Sequence, residues 1–375
     1  MKKLIGFSDK PDKILLICSV LAALVGIFII NSATYTLSSH IKFIVVQSVA
    51  FVLGIGAMVA VMFFNYKHLE KLRFLVFGIG IILLILVLII GKLSNGMQGW
   101  IAIGPITLQP SEIAKVCFII TLSYHVSKVY EKINKPSTLL LLFVHFLCYA
   151  FPVLLQPDFG TTMVFAVIFA FELLFAGICR KYIIGAFSAA AVISPIAWFL
   201  LKDYQKNRII SLFFPEKDPT GSGYQVLQSK LAIGSGMLTG RGYLQGPQTQ
   251  YGYLPEKQTD FIFSVVGEEL GLIGTIFITV LLFIIIYRCF DNARSCSHDT
   301  FGELICIGVG AMLFFHATEN IGMCIGLLPI TGIPLPFMSY GGSNLVTCFA
   351  AVGLVQSVRM RRRATKFDFE VDIES

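Results

Sequence analysis

The sequence predicts an all-α polytopic membrane protein with about ten transmembrane helices, both termini cytoplasmic and a large extracytoplasmic loop between the seventh and eighth helices. Composition is the first reason: 56% of the 375 residues are hydrophobic, 14% are charged, and the mean hydropathy is +0.79. A soluble chain carries about 25% charged residues, and no single aqueous core hides a surplus of this size. That excludes a secreted globular enzyme, a disordered chain and a nucleic-acid binder. Run length is the second reason, because a membrane-crossing helix takes roughly 20 apolar residues. The third is the placement of basic residues, which follows the spans in alternation.

Apolar runs bounded by charge, Pro or Gly fall at 14–31, 41–64, 74–90, 110–126, 138–155, 160–178, 183–201, 261–287, 304–328 and 343–358. They are continuous, whereas β-barrel strands alternate with period two. With the N-terminus inside, the inner segments hold nineteen basic residues. These are Lys2, Lys3, Lys10, Lys13, Lys67, Lys71, Arg73, Lys128, Lys132, Lys135, Arg180, Lys181, Arg288, Arg294, Arg359, Arg361, Arg362, Arg363 and Lys366. The short outer loops hold only Lys42 and Lys92. The first span reads as a retained signal anchor, being long for a signal-peptide core and lacking a small-x-small exit. The nine cysteines avoid the long outer loop and show no zinc spacing, so neither a disulfide framework nor a metal knuckle is expected. One integral membrane domain is expected over 1–375, with a basic and acidic cytoplasmic tail at 359–375.

Three outward segments break the apolar pattern: 91–112, the long loop 202–259, and the uncharged, Pro- and Gly-rich 329–342. Long loops without structure of their own are uncommon unless functional. The stretch YQVLQSKLAIGSG has helical spacing and reads as a short interfacial helix. Asp260 opens the eighth span. It reads as an N-cap and, compatibly, as a carboxylate held at the outer interface with its pKa lifted toward a general base's range, since a cap position also fixes the side chain. Arg208, Lys230, Arg241 and Lys257 together suit a diphosphate-bearing lipid, whereas any one of them taken alone reads more simply as part of a solvated loop with headgroup contacts.

Ionisable groups inside spans are costly and need partners. Glu112 and Lys115 stand three apart, an intrahelical ion pair. Glu268 and Glu269 lie eight and nine residues after Asp260, and one of them is expected to meet Lys115. Nothing requires His145 and Glu172 to pair, although they could, and both they and the His316 and Glu319 pair read as structural glue. Asp158, in the turn QPDFGTT, reads as a helix cap. Trp100 and Tyr340 read as outer-interface aromatics.

The segments QPSEIAK (109–115), QPDFGTT (156–162), DPTGSGYQVLQSKLAIGSG (218–236), LPEKQTDFIFSVVGEELG (254–271) and NIGMCIGLLPITGIPLPFMSYGGSN (320–344) resemble the shape, elongation, division and sporulation family. That family comprises RodA, FtsW and SpoVE, and GPQTQYGYLPEKQTDFIF looks most like its elongation branch. The resemblance implies a bacterial inner-membrane peptidoglycan glycosyltransferase polymerising lipid II into β-1,4 glycan outside the membrane, for elongation and shape. It implies Asp260 as the essential carboxylate. Trp100, Glu112, Lys115, Asp158, Arg208 and Glu268 or Glu269 match positions of functional or structural weight. Met237 stands where the family usually has a second glycine.

The implied substrates are lipid II and an undecaprenyl-diphosphate-linked glycan. The implied partner is a class B penicillin-binding transpeptidase. Asp260 is either the base or the holder of a divalent cation (Mg²⁺ or Mn²⁺), and no organic cofactor is expected. A lipid II flippase is the alternative activity, and a division or sporulation role the alternative within the family.

Overall fold

The computed structural model describes residues 10–94, 97–103, 106–200, 203–296 and 298–361; most of the expected tail lies outside them. Among the described residues, ten helices of 17 residues or more coincide with the apolar runs. They are α1 (Lys13–Thr34), α2 (His40–Phe63), α4 (Arg73–Ile90), α5 (Pro110–Val129), α6 (Pro136–Leu155), α7 (Phe159–Phe175), α8 (Arg180–Leu200), α12 (Ile262–Arg294), α13 (Thr300–Cys324) and α14 (Gly342–Met360). Short helices fill the connections: α3 (Lys67–Lys71), α9 (Asp203–Phe213), α10 (Ser222–Ser235) and α11 (Pro247–Gln250). Among the described residues, six helices are long and apolar enough to cross a membrane on length and composition alone. Of the others, α7 is shorter and α5 carries Glu112 and Lys115 within it.

The chain alternates direction, so its connections collect at two ends. Among the described residues, one end holds 91–94, 97–103, 106–109, 156–158, 203–261 and 325–341. The other holds 64–72, 130–135, 176–179, 295, 296, 298 and 299, with residues 10–12 and 361. At this second end Asp12 caps α1, accepting from the Ile14 and Leu15 N–H groups. Its Oδ2 takes two bonds of 2.8 Å from Arg288 and one of 2.9 Å from Asn292, tying α1 to α12. Gln356 closes the knot, exchanging bonds of 2.8 and 2.9 Å with the Asp12 backbone.

Helix α2 packs on α14, α12 on α13 and α1, and α13 on α7 and α5. Small residues let these backbones approach, as membrane helices require. A Cβ at Gly54 on α2, for instance, would stand 2.6 Å from the Phe349 ring on α14.

Two features depart from the sequence reading. The outward segment after α4, to which the sequence reading assigned no element, holds a three-stranded antiparallel meander: β1 (Lys92–Ser94), β2 (Met97–Ile103) and β3 (Ile106–Leu108). Its Ile- and Trp-bearing strands suit pleated backbone, a small addition to a chain that is otherwise helical as expected. The eighth apolar run is also not one continuous helix. Gly271 breaks α12 with φ 66° and ψ −161°, where a Cβ would lie 2.7 Å from the Leu238 carbonyl.

The glycine-rich stretch 236–242 splints that break. Arg241 and Gly242 N–H groups donate to the Glu268 and Glu269 carbonyls at 2.9 and 3.1 Å. In return, Leu272 and Ile273 N–H groups donate to the Met237 and Leu238 carbonyls at 2.9 and 3.2 Å. The backbone groups orphaned by the break are thereby satisfied, which apolar surroundings demand. Met237 sits within this splint at φ +50°, with its side chain exposed. The left-handed region costs a side-chain-bearing residue about 1–2 kcal/mol, partly offset because glycine loses more chain entropy, about 0.5–1 kcal/mol. Met237→Gly should therefore stabilise the protein by roughly 0.5–1 kcal/mol, read as a raised thermal midpoint in detergent. An unchanged or lowered midpoint would refute the strain.

Candidate active site

A cavity of about 470 Å³ opens among the connections at the first end. Trp100, Glu112, Lys115, Asp158, Arg208 and Asp260 all line it, joined by Glu256, His316, Tyr340 and Asn344. These residues come from the meander, α5, the α6–α7 turn, α9, the segment before α12, α13, and the start of α14 with the connection preceding it.

Asp260 lies in a turn whose amides fold back on one carbonyl. The N–H groups of Thr259, Asp260 and Phe261 donate to Glu256 O at 3.1, 3.1 and 3.3 Å. The turn is pinned from outside at three points. Asn320 Nδ2 donates to Asp260 O at 2.8 Å, Ser339 Oγ to Thr259 O at 2.6 Å, and the Tyr340 N–H to Gln258 O at 2.8 Å. The N-cap of α12 is Phe261, without a side-chain cap bond, so the capping reading of Asp260 does not hold. Its carboxylate turns into the cavity, where burial pushes its pKa up to about 7. The neighbouring Glu256 charge pushes the same way and Arg208 opposes. Gly332 leaves room beside it, since a Cβ there would lie 3.5 Å from Oδ2.

Arg208 is carried by α9, which packs on α10 and is joined to it by a 2.8 Å bond from Ser222 Oγ to Ser211 Oγ. Helix α10 is the expected helix over YQVLQSKLAIGSG. It is anchored by Ser229 Oγ, 2.6 Å from both Ser264 Oγ and Cys324 O. Asp158 caps α7, accepting from Thr161 N–H at 2.9 Å and Thr161 Oγ1 at 2.8 Å, while also lining the cavity. Burial raises its pKa against the Thr161 bonds and the Lys115 charge.

The Glu112–Lys115 ion pair is present at 2.9 Å and is almost wholly buried. Its second partners were not foreseen. Lys115 Nζ is 2.9 Å from His316 Nε2, and Asn344 Nδ2 donates to Glu112 Oε2 at 3.1 Å. Neither Glu268 nor Glu269 meets Lys115. Glu268 accepts from the N–H groups of Gln248 and Thr249 at 2.7 and 2.9 Å, and from Thr249 Oγ1 at 2.6 Å. Glu269 accepts from Ser32 Oγ at 2.6 Å and Gln250 Nε2 at 3.0 Å. Both carboxylates fix the α11 segment, because the half-helix 262–270 turns them toward α1 and α11, away from α5.

Three of the four basic loop residues also stand away from the cavity. Lys257 is buried and donates to Thr249 O; burial lowers its pKa against the charges of Glu268 and Glu269. Lys230 projects from the exposed face of α10, opposite buried Val226, Ser229 and Ala232, and lies over Gly326. Arg241 is exposed and serves the splint through its backbone. His145 and Glu172 do not pair with each other: His145 meets Thr121 and His125, and Glu172 accepts from Ser123. His316 and Glu319 likewise diverge, Glu319 accepting from Thr331 Oγ1 at 2.8 Å. His316 and Tyr340 line the cavity although the sequence reading left them as glue and belt aromatic.

The FtsW, RodA and SpoVE cell cycle protein family model matches residues 12–364. The chain belongs to that family. Among its relatives is the peptidoglycan glycosyltransferase MrdB of Escherichia coli K12, 40% identical over 287 residues that cover 76% of each chain. A chain from a peptidoglycan synthase complex that coordinates polymerization and crosslinking superposes with TM-score 0.81 at 30% identity, covering 95% of this chain and 99% of its own. RodA of Thermus thermophilus superposes with TM-score 0.70 at 26% identity, covering 95% and 98%. This FtsW/RodA/SpoVE member is thus a multi-pass bacterial membrane protein, and its cavity is built from segments within the matched region.

Proposed function

We propose that this chain is a peptidoglycan glycosyltransferase that polymerises lipid II at the cavity around Asp260, on the extracytoplasmic face. The observation that carries the reading is the convergence of one carboxyl, its pKa near 7, with Arg208 and buried Lys115 in one cavity. The orientation follows from charge. Lys67, Lys71, Lys128, Lys132, Lys135, Arg180, Lys181, Arg288 and Arg294 all belong to the end opposite the cavity, and such residues stay cytoplasmic.

The reaction joins an acceptor sugar hydroxyl to the anomeric carbon of a diphosphate-linked donor. One in-line displacement makes the C–O bond to the acceptor as the bond to the diphosphate oxygen breaks, inverting α to β. Ionised Asp260 takes the hydroxyl proton, and the departing diphosphate keeps the bonding electrons as negative charge that Arg208 and Lys115 stabilise. Trp100 and Tyr340 supply flat apolar walls suited to sugar rings. Anchoring both lipid tails at one depth turns an encounter of two substrates into an oriented one.

Among the described residues no three His, Cys, Asp or Glu side chains form a metal-ligand group. Mg²⁺ usually takes only one or two carboxylates together with substrate phosphates. Asp260 and Glu256 would hold it in that way, and the ion would supply further positive charge beside the diphosphate. Lys230, Arg241 and Lys257 are assigned to the loop's architecture instead of to substrate. The partner that fits is a single-pass class B penicillin-binding transpeptidase, consistent with the synthase complex to which the chain is similar.

The test is purified protein with labelled lipid II, with and without chelator. Glycan product lost in Asp260→Asn supports the assignment. A broken helix such as α12 is a feature of transporters, so head-group transfer across liposomes without glycan would establish flipping instead.

A further inference from the structure

Three polar side chains on one face of α13 reach the 325–341 connection at separate points. Asn320 Nδ2 donates to Ile333 O at 2.8 Å, Glu319 accepts from Thr331 Oγ1, and His316 Nδ1 lies 3.4 Å from Pro334 O. Asn320 and Glu319 spend their contacts on backbone and loop. His316 alone also reaches across to another helix, placing Nε2 2.9 Å from the Lys115 ammonium on α5.

The chemistry of that contact fixes the imidazole. A lysine ammonium has only donors, so the nitrogen facing it must offer a lone pair. His316 is therefore neutral, with its proton on Nδ1 and directed at the Pro334 carbonyl. The ammonium in turn has two fixed acceptors on different helices, Glu112 Oε1 and His316 Nε2, each at 2.9 Å. Lysine is a point charge on a flexible four-carbon stem. One acceptor on its own helix would leave that charge free to swing along α5. A second acceptor on α13 fixes its direction at the cavity wall that Lys115 and His316 share with Asp260.

We propose that His316 is a positioning residue: its neutral imidazole holds the Lys115 ammonium where the departing diphosphate gathers charge. The assignment deepens the glycosyl-transfer reading and rests on it. Because the charge at the diphosphate grows in the transition state, misplacing Lys115 lowers kcat with little effect on KM.

Three variants separate this role from a structural tie between α13 and the connection. His316→Gln puts an amide oxygen near the place of Nε2 and can still accept from Lys115. His316→Asn reaches only the place of Nδ1, so it keeps the link to Pro334 and loses Lys115. His316→Leu loses both. Each is purified, checked for a thermal midpoint near the parent's, and assayed for lipid II polymerisation. The expected result is kcat within about threefold of the parent for Gln. For Asn and Leu, kcat should fall by roughly 10–100-fold, since a 1 Å misplacement costs about that much, with KM within about threefold. If Leu does not fold, the ranking of Gln above Asn decides.

Asn equal to or better than Gln, all variants at parental rate, loss of activity in Gln, or an effect on KM alone overturns the proposal. A parent protein making no glycan would overturn the underlying reading instead, and that is seen before any variant is compared.

Discussion

Asp260→Asn lowers the rate of lipid II polymerisation by about 10²–10⁴-fold, the usual contribution of a general base, while the protein stays folded. The pH profile carries the more specific result. Asp260 works as the ionised carboxylate, and burial with the Glu256 charge sets its pKa at about 7. The parent rate should therefore fall roughly tenfold per unit as pH drops below that value, and level off above it. The residual rate of the Asn variant should lack this limb.

Stability moves the opposite way. A carboxyl whose folded pKa lies above its unfolded value of 3.8 is favoured in its neutral form by folding. That contribution is present at low pH and is lost as pH rises through about 7. At pH 8 the Asn variant, with no charge to hold in the cavity wall, should melt above the parent, and the gap should narrow as pH falls below about 7 and close only near the unfolded value of 3.8. A parental rate in the Asn variant, or an acid limb that survives in it, would remove Asp260 from the base role.

Lys115→Met is the most damaging single change expected for the fold. Lys115 and Glu112 are almost fully buried partners. Removing one member of such a pair strands the other charge and costs about 3–5 kcal/mol. The variant should express poorly and melt far below the parent. Glu112→Gln combined with Lys115→Met removes both charges and leaves an amide that can still meet Asn344, so much of the lost stability should return. Glycan synthesis should not return, because the cavity then has Arg208 as its only remaining cation among the described lining residues. A single variant as stable as the double would show that the pair is not balanced as described. A fully active double variant would show that Lys115 gives nothing to the reaction.

The site was legible in the sequence wherever a local rule applied. Asp158 caps α7 because Pro157 and Gly160 bracket a turn, and Glu112 meets Lys115 because they are one helical step apart. Asp260, Arg208 and Trp100 were picked out by position and family pattern, and all three line the cavity. The failures are of another kind. Glu268 and Glu269 were projected onto Lys115 by assuming an unbroken eighth helix, but Gly271 interrupts α12 and the 236–242 splint fills the gap. His316 was weighed beside Glu319 on its own helix, whereas its partner stands 201 residues away on α5. Lys230, Arg241 and Lys257 shared the loop and charge of Arg208, and spacing could not say which of the four would face inward.

The sequence by itself determined that this chain crosses a membrane repeatedly, which end is basic, and which segments carry unusual polarity. Those properties depend on residue counts over about 20 positions, the thickness of a bilayer core, and neighbouring residues set them without help. Only the tertiary structure decided which polar groups share one cavity. A side chain's direction turns 100° with each helical residue, and its partner is supplied by whichever helix packs alongside. The backbone break at Gly271 and the seven-residue splint 236–242 therefore redirect a carboxylate from one partner to another, and no local pattern records that.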